Sequence, residues 1–197
     1  MNRFNELEKM AKENGGVLLT SAIVAAGISK PTLAAFVKKN EYERVGRGVY
    51  CSPECWKDNL YFLQLRCPKT VFSHETALFL LDMTDQEPFQ YSVTAKTGYN
   101  PSHLSVDGVK VFTVKKELFD LGMTEAPTPF GHKVFLYGPE RTVCDIIRSR
   151  REMEIQAVQD ALKRYSQRKD KNLHKLMQYA NLFHIDKRLH QYLEVLL

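Results

Sequence analysis

Apolar residues near the N-terminus recur at the spacing of amphipathic helices. Leu7 and Ala11 mark the inner side of a first predicted helix, which ends at two consecutive glycines because glycine accepts a left-handed backbone. A second helix, only two turns long, is predicted over residues 21–26 with Thr20 as its N-cap. The pattern therefore predicts two helices before the first strong turn signal at Gly27.

A third helix is predicted from about Ser29, its N-cap candidate, to about Asn40. Pro31 lies in its first turn, where a missing amide hydrogen removes no hydrogen bond. Leu33 and Phe36 fall on one side of this helix, which is predicted to face the core. Two short helices joined by a tight turn form a helix-turn-helix, whose second helix lies in the DNA major groove.

Two short strands are predicted next, over residues 42–45 and 49–51, and they are joined across Gly46, Arg47 and Gly48. A hairpin in this position is the wing of a winged helix-turn-helix. An arginine between glycines at a hairpin tip can enter a narrow minor groove or contact a phosphate. Residues 1–56 are therefore predicted to be a winged helix-turn-helix DNA-binding domain.

Residues 57–197 are predicted to form a second, mixed domain. A helix is expected over residues 73–81, and strands are expected over residues 91–95, 109–114 and 134–136. Helical periodicity then continues from Gly138 towards the C-terminus. The predicted fold class is α+β, with a winged helix-turn-helix followed by a small β-sheet and a C-terminal helical layer.

Two features of the second domain concern individual polar residues. His74, near a helix N-terminus, is predicted to have a structural polar role, since no nucleophile or carboxylate partner is visible nearby in the sequence. Arg141 and Asp145 are predicted to pair at i, i+4 on the outer side of their helix.

Composition is that of an ordinary globular protein, with 44% hydrophobic and 26% charged residues. No apolar stretch reaches the roughly 18 residues of a membrane span, and the N-terminus lacks the pattern of a secretory signal, so a cytoplasmic protein is expected. The net charge is only +5, so the distribution of charge is more informative than its total.

Basic residues concentrate in two places. Because they gather on the third helix and the wing, the candidate DNA-binding residues are Lys30, Thr32, Ala35, Lys38, Lys39, Arg44 and Arg47. A second basic surface, for an acidic partner or for nucleic-acid phosphates, comprises Arg148, Arg150, Arg151, Lys163, Arg164 and Arg168.

Cysteine spacing and motif content argue against a metal centre. The four cysteines are expected to be thiols, and only Cys51 with Cys55 approaches the spacing of a zinc site. No metal, cofactor or catalytic residue is predicted. The main enzymatic alternative is a metal-dependent nuclease. On the strand that ends at Lys96, however, such a site would need an acidic residue at the position that Thr94 occupies.

Three segments in a fixed order resemble a known family. They are Arg47-Gly48-Val49-Tyr50, then Ser-His-Glu-Thr-Ala-Leu at 73–78, and then Tyr-Gly-Pro-Glu-Arg-Thr-Val-Cys-Asp at 137–145. Together they resemble the AbiEi antitoxin family over nearly the whole chain, and their order is more specific than any one segment.

The resemblance implies an antitoxin of a type IV toxin–antitoxin system, active in abortive infection and phage defence. The N-terminal winged helix would repress the protein's own operon by binding inverted-repeat promoter DNA, as a monomer in solution and two copies on DNA. The second domain would counter a nucleotidyltransferase-like toxin, AbiEii, without a stable complex. The alternatives are a winged-helix-targeted nuclease-like enzyme and, less well supported, a helical protein-interaction adaptor.

Overall fold

The computed structural model describes residues 2–102, 104 and 107–196. These residues form two compact units. The N-terminal unit contains residues up to Pro68 together with Thr128–His132, and the C-terminal unit contains Lys69–Pro127 and the chain from Lys133 onward. The N-terminal unit thus extends beyond residue 56, and a functional division at 56/57 stays a prediction.

The N-terminal unit contains four helices and three strands within its described residues. In chain order they are α1 (Arg3–Glu13), β1 (Val17–Leu19), α2 (Thr20–Ala25), α3 (Lys30–Lys39), β2 (Glu43–Gly46), β3 (Val49–Cys51) and α4 (Asn59–Arg66). The strands form an antiparallel sheet in the order β1-β3-β2. The three helices and the hairpin lie close to their predicted positions, whereas β1 and α4 were not predicted.

Side-chain caps explain where several of these helices begin. Asn2 accepts a hydrogen bond from the amide of Phe4 at the start of α1, and Ser29 accepts one from the amide of Thr32 at the start of α3. The prediction that Thr20 caps α2 is wrong. Thr20 is the first residue of α2, and its amide donates instead to the Gly48 carbonyl at 2.8 Å.

The core of the N-terminal unit lies between its helices. Phe36 packs between Phe4 and Tyr42, with ring centroids 5.4 and 5.5 Å away. The prediction that Leu33 and Phe36 face the core is confirmed, because both are buried. The buried cluster consists of Leu7, Ala11, Leu18, Ile23, Ile28, Leu33 and Phe36.

A buried carboxylate ties the segment Thr128–His132 into the N-terminal unit. Asp58 caps α4 by accepting from the amide of Tyr61, and it also accepts from Thr128 Oγ1 at 2.5 Å. His132 Nδ1 lies 2.8 Å from Asp58 Oδ2, and the His132 ring stacks on Tyr61 with centroids 4.2 Å apart. The desolvated carboxylate therefore has several hydrogen-bonding partners, as a buried charge requires.

The expectation that all four cysteines are thiols is wrong for one pair. Cys51, the last residue of β3, is disulfide-bonded to Cys55, and their Cα atoms are 5.9 Å apart. The turn after β3 brings the two residues within the ordinary reach of a disulfide. Cys67 and Cys144 are buried and do not form a disulfide.

The C-terminal unit is a five-stranded mixed sheet with helices. Its elements are β4 (Thr70–Phe72), α5 (His74–Leu80), β5 (Ser92–Lys96), β6 (Lys110–Val114), α6 (Lys116–Phe119), β7 (Met123–Pro127), β8 (Lys133–Tyr137), α7 (Pro139–Arg148), α8 (Ile155–Gln167), α9 (Leu173–Leu182) and α10 (Asp186–Leu196), with a 3₁₀ turn at Arg150–Glu152 before α8. The strand order is β6-β5-β4-β8-β7. The pairs β4–β8 and β5–β6 are parallel, and the other two are antiparallel.

The mixture of helices and strands agrees with the predicted α+β class. The predicted strands correspond to β5, β6 and β8, and the C-terminal helical layer corresponds to the run from α7 to α10. Within the described part of the chain, no helix is both long and apolar enough to cross a membrane.

Helix α7 lies in the core of the C-terminal unit, and the predicted outward position of Arg141 and Asp145 is wrong. The two side chains do pair, with Nε 2.9 Å from Oδ2, but both are completely buried. The guanidinium lies between the rings of Tyr137 and Phe183, and its Nη1 donates to two backbone carbonyls at 2.7 Å. Arg141 therefore connects α7 to α6 and to the loop that follows α6.

Candidate nucleic-acid interface

One side of α3 is open to solvent. Pro31, Ala34, Ala35 and Lys38 are all exposed, and their spacing of three and four residues places them along one stripe of the helix. Lys30, at the start of α3, is exposed as well. The stripe has small side chains in its middle and lysines towards its ends, so another surface can approach its backbone closely.

Two of the predicted α3 contacts lie at the margins of this stripe. The Thr32 hydroxyl is 2.8 Å from Ser29 Oγ, and Thr32 is only partly exposed. Its hydroxyl is therefore already engaged at the N-cap. Lys39 leans towards α1, with Nζ 5.6 Å from the centroid of the Phe4 ring. Lys30, Ala35 and Lys38 are the predicted contacts that the helix turns fully outward.

The hairpin presents two more basic side chains. Arg47 is exposed between β2 and β3, beside Gly48, whose φ of +75° suits glycine. Arg44 is also exposed, and its Nε donates to the carbonyl of Gly46 at 3.3 Å across a register shift in β2. This bond fixes the Arg44 side chain along the hairpin.

The charge around the hairpin favours an anion. Glu43 on β2 forms an ion pair with Lys57, with Nζ 2.7 Å from Oε2. Its negative charge is therefore compensated, so it lowers the positive potential around Arg44 and Arg47 less than an unpaired carboxylate would. The remaining acid of this segment, Glu41, is exposed after the end of α3.

The predicted second basic surface divides into paired and outward residues. Arg148 Nη2 lies 3.4 Å from Asp145, Arg164 pairs with Asp85, and Arg168 Nη2 lies 2.8 Å from Asp170. Hydrogen bonds from Arg164 and Arg168 lower the pKa values of Asp85 and Asp170, respectively. The exposed members without an ion pair among the described contacts are Arg150, Arg151 and Lys163.

The residues considered for a nuclease site do not form a carboxylate cluster. Lys96 Nζ lies 3.6 Å from Asp120, and Thr94 is buried and donates to Ser73 Oγ. Two further carboxylates of the C-terminal unit, those of Asp107 and Glu117, are exposed. Across the described residues, no group of three or more His, Cys, Asp or Glu side chains is arranged to hold a metal ion.

Sequence reasoning missed one polar partner in the C-terminal unit. His74 is completely buried, and its Nε2 lies 3.1 Å from the hydroxyl of Ser149, at the end of α7. The two residues are 75 positions apart, so spacing could not reveal the contact. The available signal was that His74 belongs to one of the segments that carry the family resemblance and that Ser149 lies four residues after the end of another.

Comparison with known proteins supports both the fold and the family. The crystal structure of the RV2827C protein from Mycobacterium tuberculosis is similar, with a TM-score of 0.56 and 15% sequence identity, over 87% of this chain and 69% of that one. At this identity the likeness concerns the fold alone. No curated protein sequence matches the chain. The family model described as transcriptional regulator, AbiEi antitoxin, matches residues 5–53. The family recognised from the sequence is therefore confirmed over this segment, whose pattern is that of the AbiEi antitoxin transcriptional regulators.

Proposed function

We propose that α2, α3 and the β2–β3 hairpin act as a winged helix-turn-helix that binds operator DNA. The observation that carries the proposal is the outward stripe of α3, with Lys30 and Lys38, next in sequence to a hairpin that exposes Arg44 and Arg47. Helix α3 enters the major groove, where the methyl groups of Ala34 and Ala35 meet base edges. The basic side chains bind phosphates, and Arg47 lies at the minor groove or on the backbone.

In this proposal the protein represses its own operon as two copies on an inverted repeat. Two copies related by two-fold symmetry place their α3 helices in half-sites that are one helical turn, or a multiple of it, apart. Footprinting on the upstream DNA tests this arrangement. Two protected half-sites with that spacing are expected, whereas protection that does not depend on sequence would contradict an operator.

The second part of the proposal is antitoxin activity that needs no catalysis by this chain. The family description supports it, and the C-terminal unit is the region proposed to counter an AbiEii-like nucleotidyltransferase toxin without a stable complex. The test uses full-length chains in cells that carry the toxin and an operon reporter. Lys38→Ala/Arg47→Ala should abolish repression and keep protection of growth. Simultaneous loss of both activities, with the protein still folded, would refute the separation.

A further inference from the structure

A disulfide lies at the base of the β2–β3 hairpin in the N-terminal unit. Cys51, its first member, is buried and pairs with Val17 in β1 on one side and with Glu43 in β2 on the other. Cys55, its second member, is partly exposed. The pair Glu43–Cys51 is the one farthest from the tip of the hairpin. The disulfide therefore holds the end of the hairpin from which the proposed wing extends.

The turn that carries Cys55 packs closely on the turn between α1 and β1. The Ser52 amide donates to the Gly16 carbonyl at 2.9 Å, and the Cys55 amide donates to the Ser52 carbonyl at 3.0 Å. A β-carbon at Gly16 would lie only 2.5 Å from Ser52 Oγ and 3.2 Å from the β-carbon of Cys55. In the disulfide form, this turn thus has one well-defined position.

The segment that continues from this turn has little burial to hold it. Pro53, Glu54, Trp56 and Lys57 are all exposed, and β3 itself has only three residues. Local opening costs little free energy where few buried contacts hold the backbone. The disulfide removes open conformations of this segment, and its reduction makes them accessible.

This segment is linked to the hairpin by charge. Lys57 Nζ lies 2.7 Å from Glu43 Oε2, and both side chains are more than half exposed. Such an ion pair is weak and persists only while the backbone keeps Lys57 beside the hairpin. When the segment opens, Glu43 is left unpaired next to Arg44 and lowers the positive potential of the hairpin. The loosened hairpin must also be ordered when it binds DNA, which weakens binding further.

We propose that Cys51 and Cys55 form a redox-sensitive switch that sets the affinity of the winged helix for DNA, with the disulfide form binding more tightly. This inference rests on the proposed DNA-binding function, because a DNA-bound regulator works among cellular thiols that keep most cysteine pairs reduced. With oxidised glutathione as the oxidant, both cysteines lose their thiol hydrogens, the Sγ–Sγ bond forms, and the oxidant is reduced to two thiols. Excess thiol drives the reverse reaction and restores the dithiol form.

Gel-shift titrations of the full chain compare protein oxidised with oxidised glutathione and protein reduced with dithiothreitol. Intact mass after thiol alkylation verifies each redox state. The oxidised form should bind its upstream DNA about three to ten times more tightly, the range expected when binding no longer has to order one or two long side chains. A specific shift with equal affinity for both forms would overturn the switch alone. No specific shift by either form would refute the proposed DNA binding as well.

Cys55→Ser is the matched control, because it lacks the disulfide and keeps Cys67 and Cys144. Its circular dichroism should equal that of reduced wild type, and so should its affinity for DNA. Reductant should not change that affinity. A reductant effect as large as that of wild type would overturn the assignment of the switch to Cys51 and Cys55.

Thermodynamic linkage supplies a second readout that needs no variant. If the disulfide form binds DNA more tightly by some factor, saturating DNA raises the equilibrium constant for disulfide formation by the same factor. Wild type is equilibrated in mixtures of reduced and oxidised glutathione, and the disulfide fraction is measured by alkylation and mass. Upstream DNA should move the midpoint towards more reducing mixtures, and a scrambled duplex should move it less. An unchanged midpoint would overturn the coupling of the disulfide to DNA binding.

Discussion

His74 is buried as a neutral imidazole, since desolvation and then Arg148 lower its pKa well below 6.5. In the unfolded chain the same side chain gains a proton as the pH falls through about 6.5. The unfolded state then binds more protons than the folded state, so the free energy of unfolding decreases, by at most about 1.4 kcal/mol per pH unit from this residue. Above about pH 6.5 the imidazole is neutral in both the folded and the unfolded state, so it causes no loss of stability there.

Urea unfolding at about pH 7.5 and about pH 5.5 measures this effect. Wild type should lose more stability between these two pH values than His74→Asn, which keeps the other histidines and lacks the buried imidazole. An equal loss in the two proteins would mean that His74 does not control the acid sensitivity.

Arg141 and Arg164 provide a matched pair of ionic contacts. Arg141 and its partner Asp145 are completely buried, whereas the pair of Arg164 with Asp85 is largely exposed. Arg141→Ala leaves a buried carboxylate without its main partner and should lower the free energy of unfolding by about 3–5 kcal/mol. Arg164→Ala should leave the free energy of unfolding nearly unchanged, because solvent screens an exposed ion pair. Similar urea midpoints for the two variants would contradict the anchoring role of Arg141.

Individual side chains differ in how well the sequence predicts them. Leu33 and Phe36 are buried as predicted, because the helical period alone places them on one side of α3. That period does not reveal the contact of the Thr32 hydroxyl with Ser29, which forms only in the folded N-cap, and the role of Thr32 in DNA binding stays a prediction. Arg141 was predicted on the outer side of its helix because a charged residue is normally solvated. The carbonyls that bind it belong to Leu118 in α6 and Leu121 in the loop after α6, which are distant in sequence.

At the scale of elements, the disulfide restrains the turn that follows β3. Cys51 and Cys55 close a loop with a sequence separation of only 4. Chain entropy predicts that so short a loop stabilises the folded state by about 2 kcal/mol. Cys55→Ser should therefore unfold at lower urea concentration than oxidised wild type.

The control for this variant is wild type in reductant, which should unfold at the same urea concentration as Cys55→Ser. A thiol assay of the denatured, oxidised chain should detect only Cys67 and Cys144. Four reactive thiols, together with no effect of reductant on stability, would contradict the disulfide.

The strands missed from the sequence are short or lie at an edge. The strands β1 and β4 have three residues each, too few to establish an alternating pattern. Strand β7 pairs only with β8 at the edge of its sheet, and its alternation is weak because it carries polar residues and a terminal proline. Longer strands such as β5 and β6 have five residues each and contain β-branched or aromatic residues between turn signals, which explains their successful prediction.

At the scale of the whole molecule, the affinity of the proposed DNA complex should decrease as the salt concentration rises. If the five basic candidates each neutralise one phosphate, the logarithm of the binding constant should fall with the logarithm of salt concentration with a slope of about −4 to −5 per copy. These candidates are Lys30, Lys38, Lys39, Arg44 and Arg47. Titrations at several salt concentrations give the slope, and a value near zero would exclude phosphate contacts by these residues.

The arrangement of the whole chain was only partly accessible from the sequence. Periodicity and turn residues predicted the α+β class and the order of most elements. They did not predict that Thr128–His132 belongs to the N-terminal unit. In the sequence this segment lies between β7 and β8, which are strands of the C-terminal unit. That assignment depends on hydrogen bonds from Thr128 and His132 to Asp58, which a local pattern does not reveal.

The most direct test of the central claim is a gel-shift titration of the full chain against its own upstream DNA. Three proteins are compared: wild type, Lys38→Ala/Arg47→Ala, and Lys9→Ala/Lys12→Ala. The last is the matched control, because it removes two exposed positive charges from α1 in the same unit. We predict a specific shift for wild type and the control, and at least about a tenfold weaker one for Lys38→Ala/Arg47→Ala. Equal binding by all three proteins, or no specific shift by wild type, would contradict DNA recognition through α3 and the hairpin.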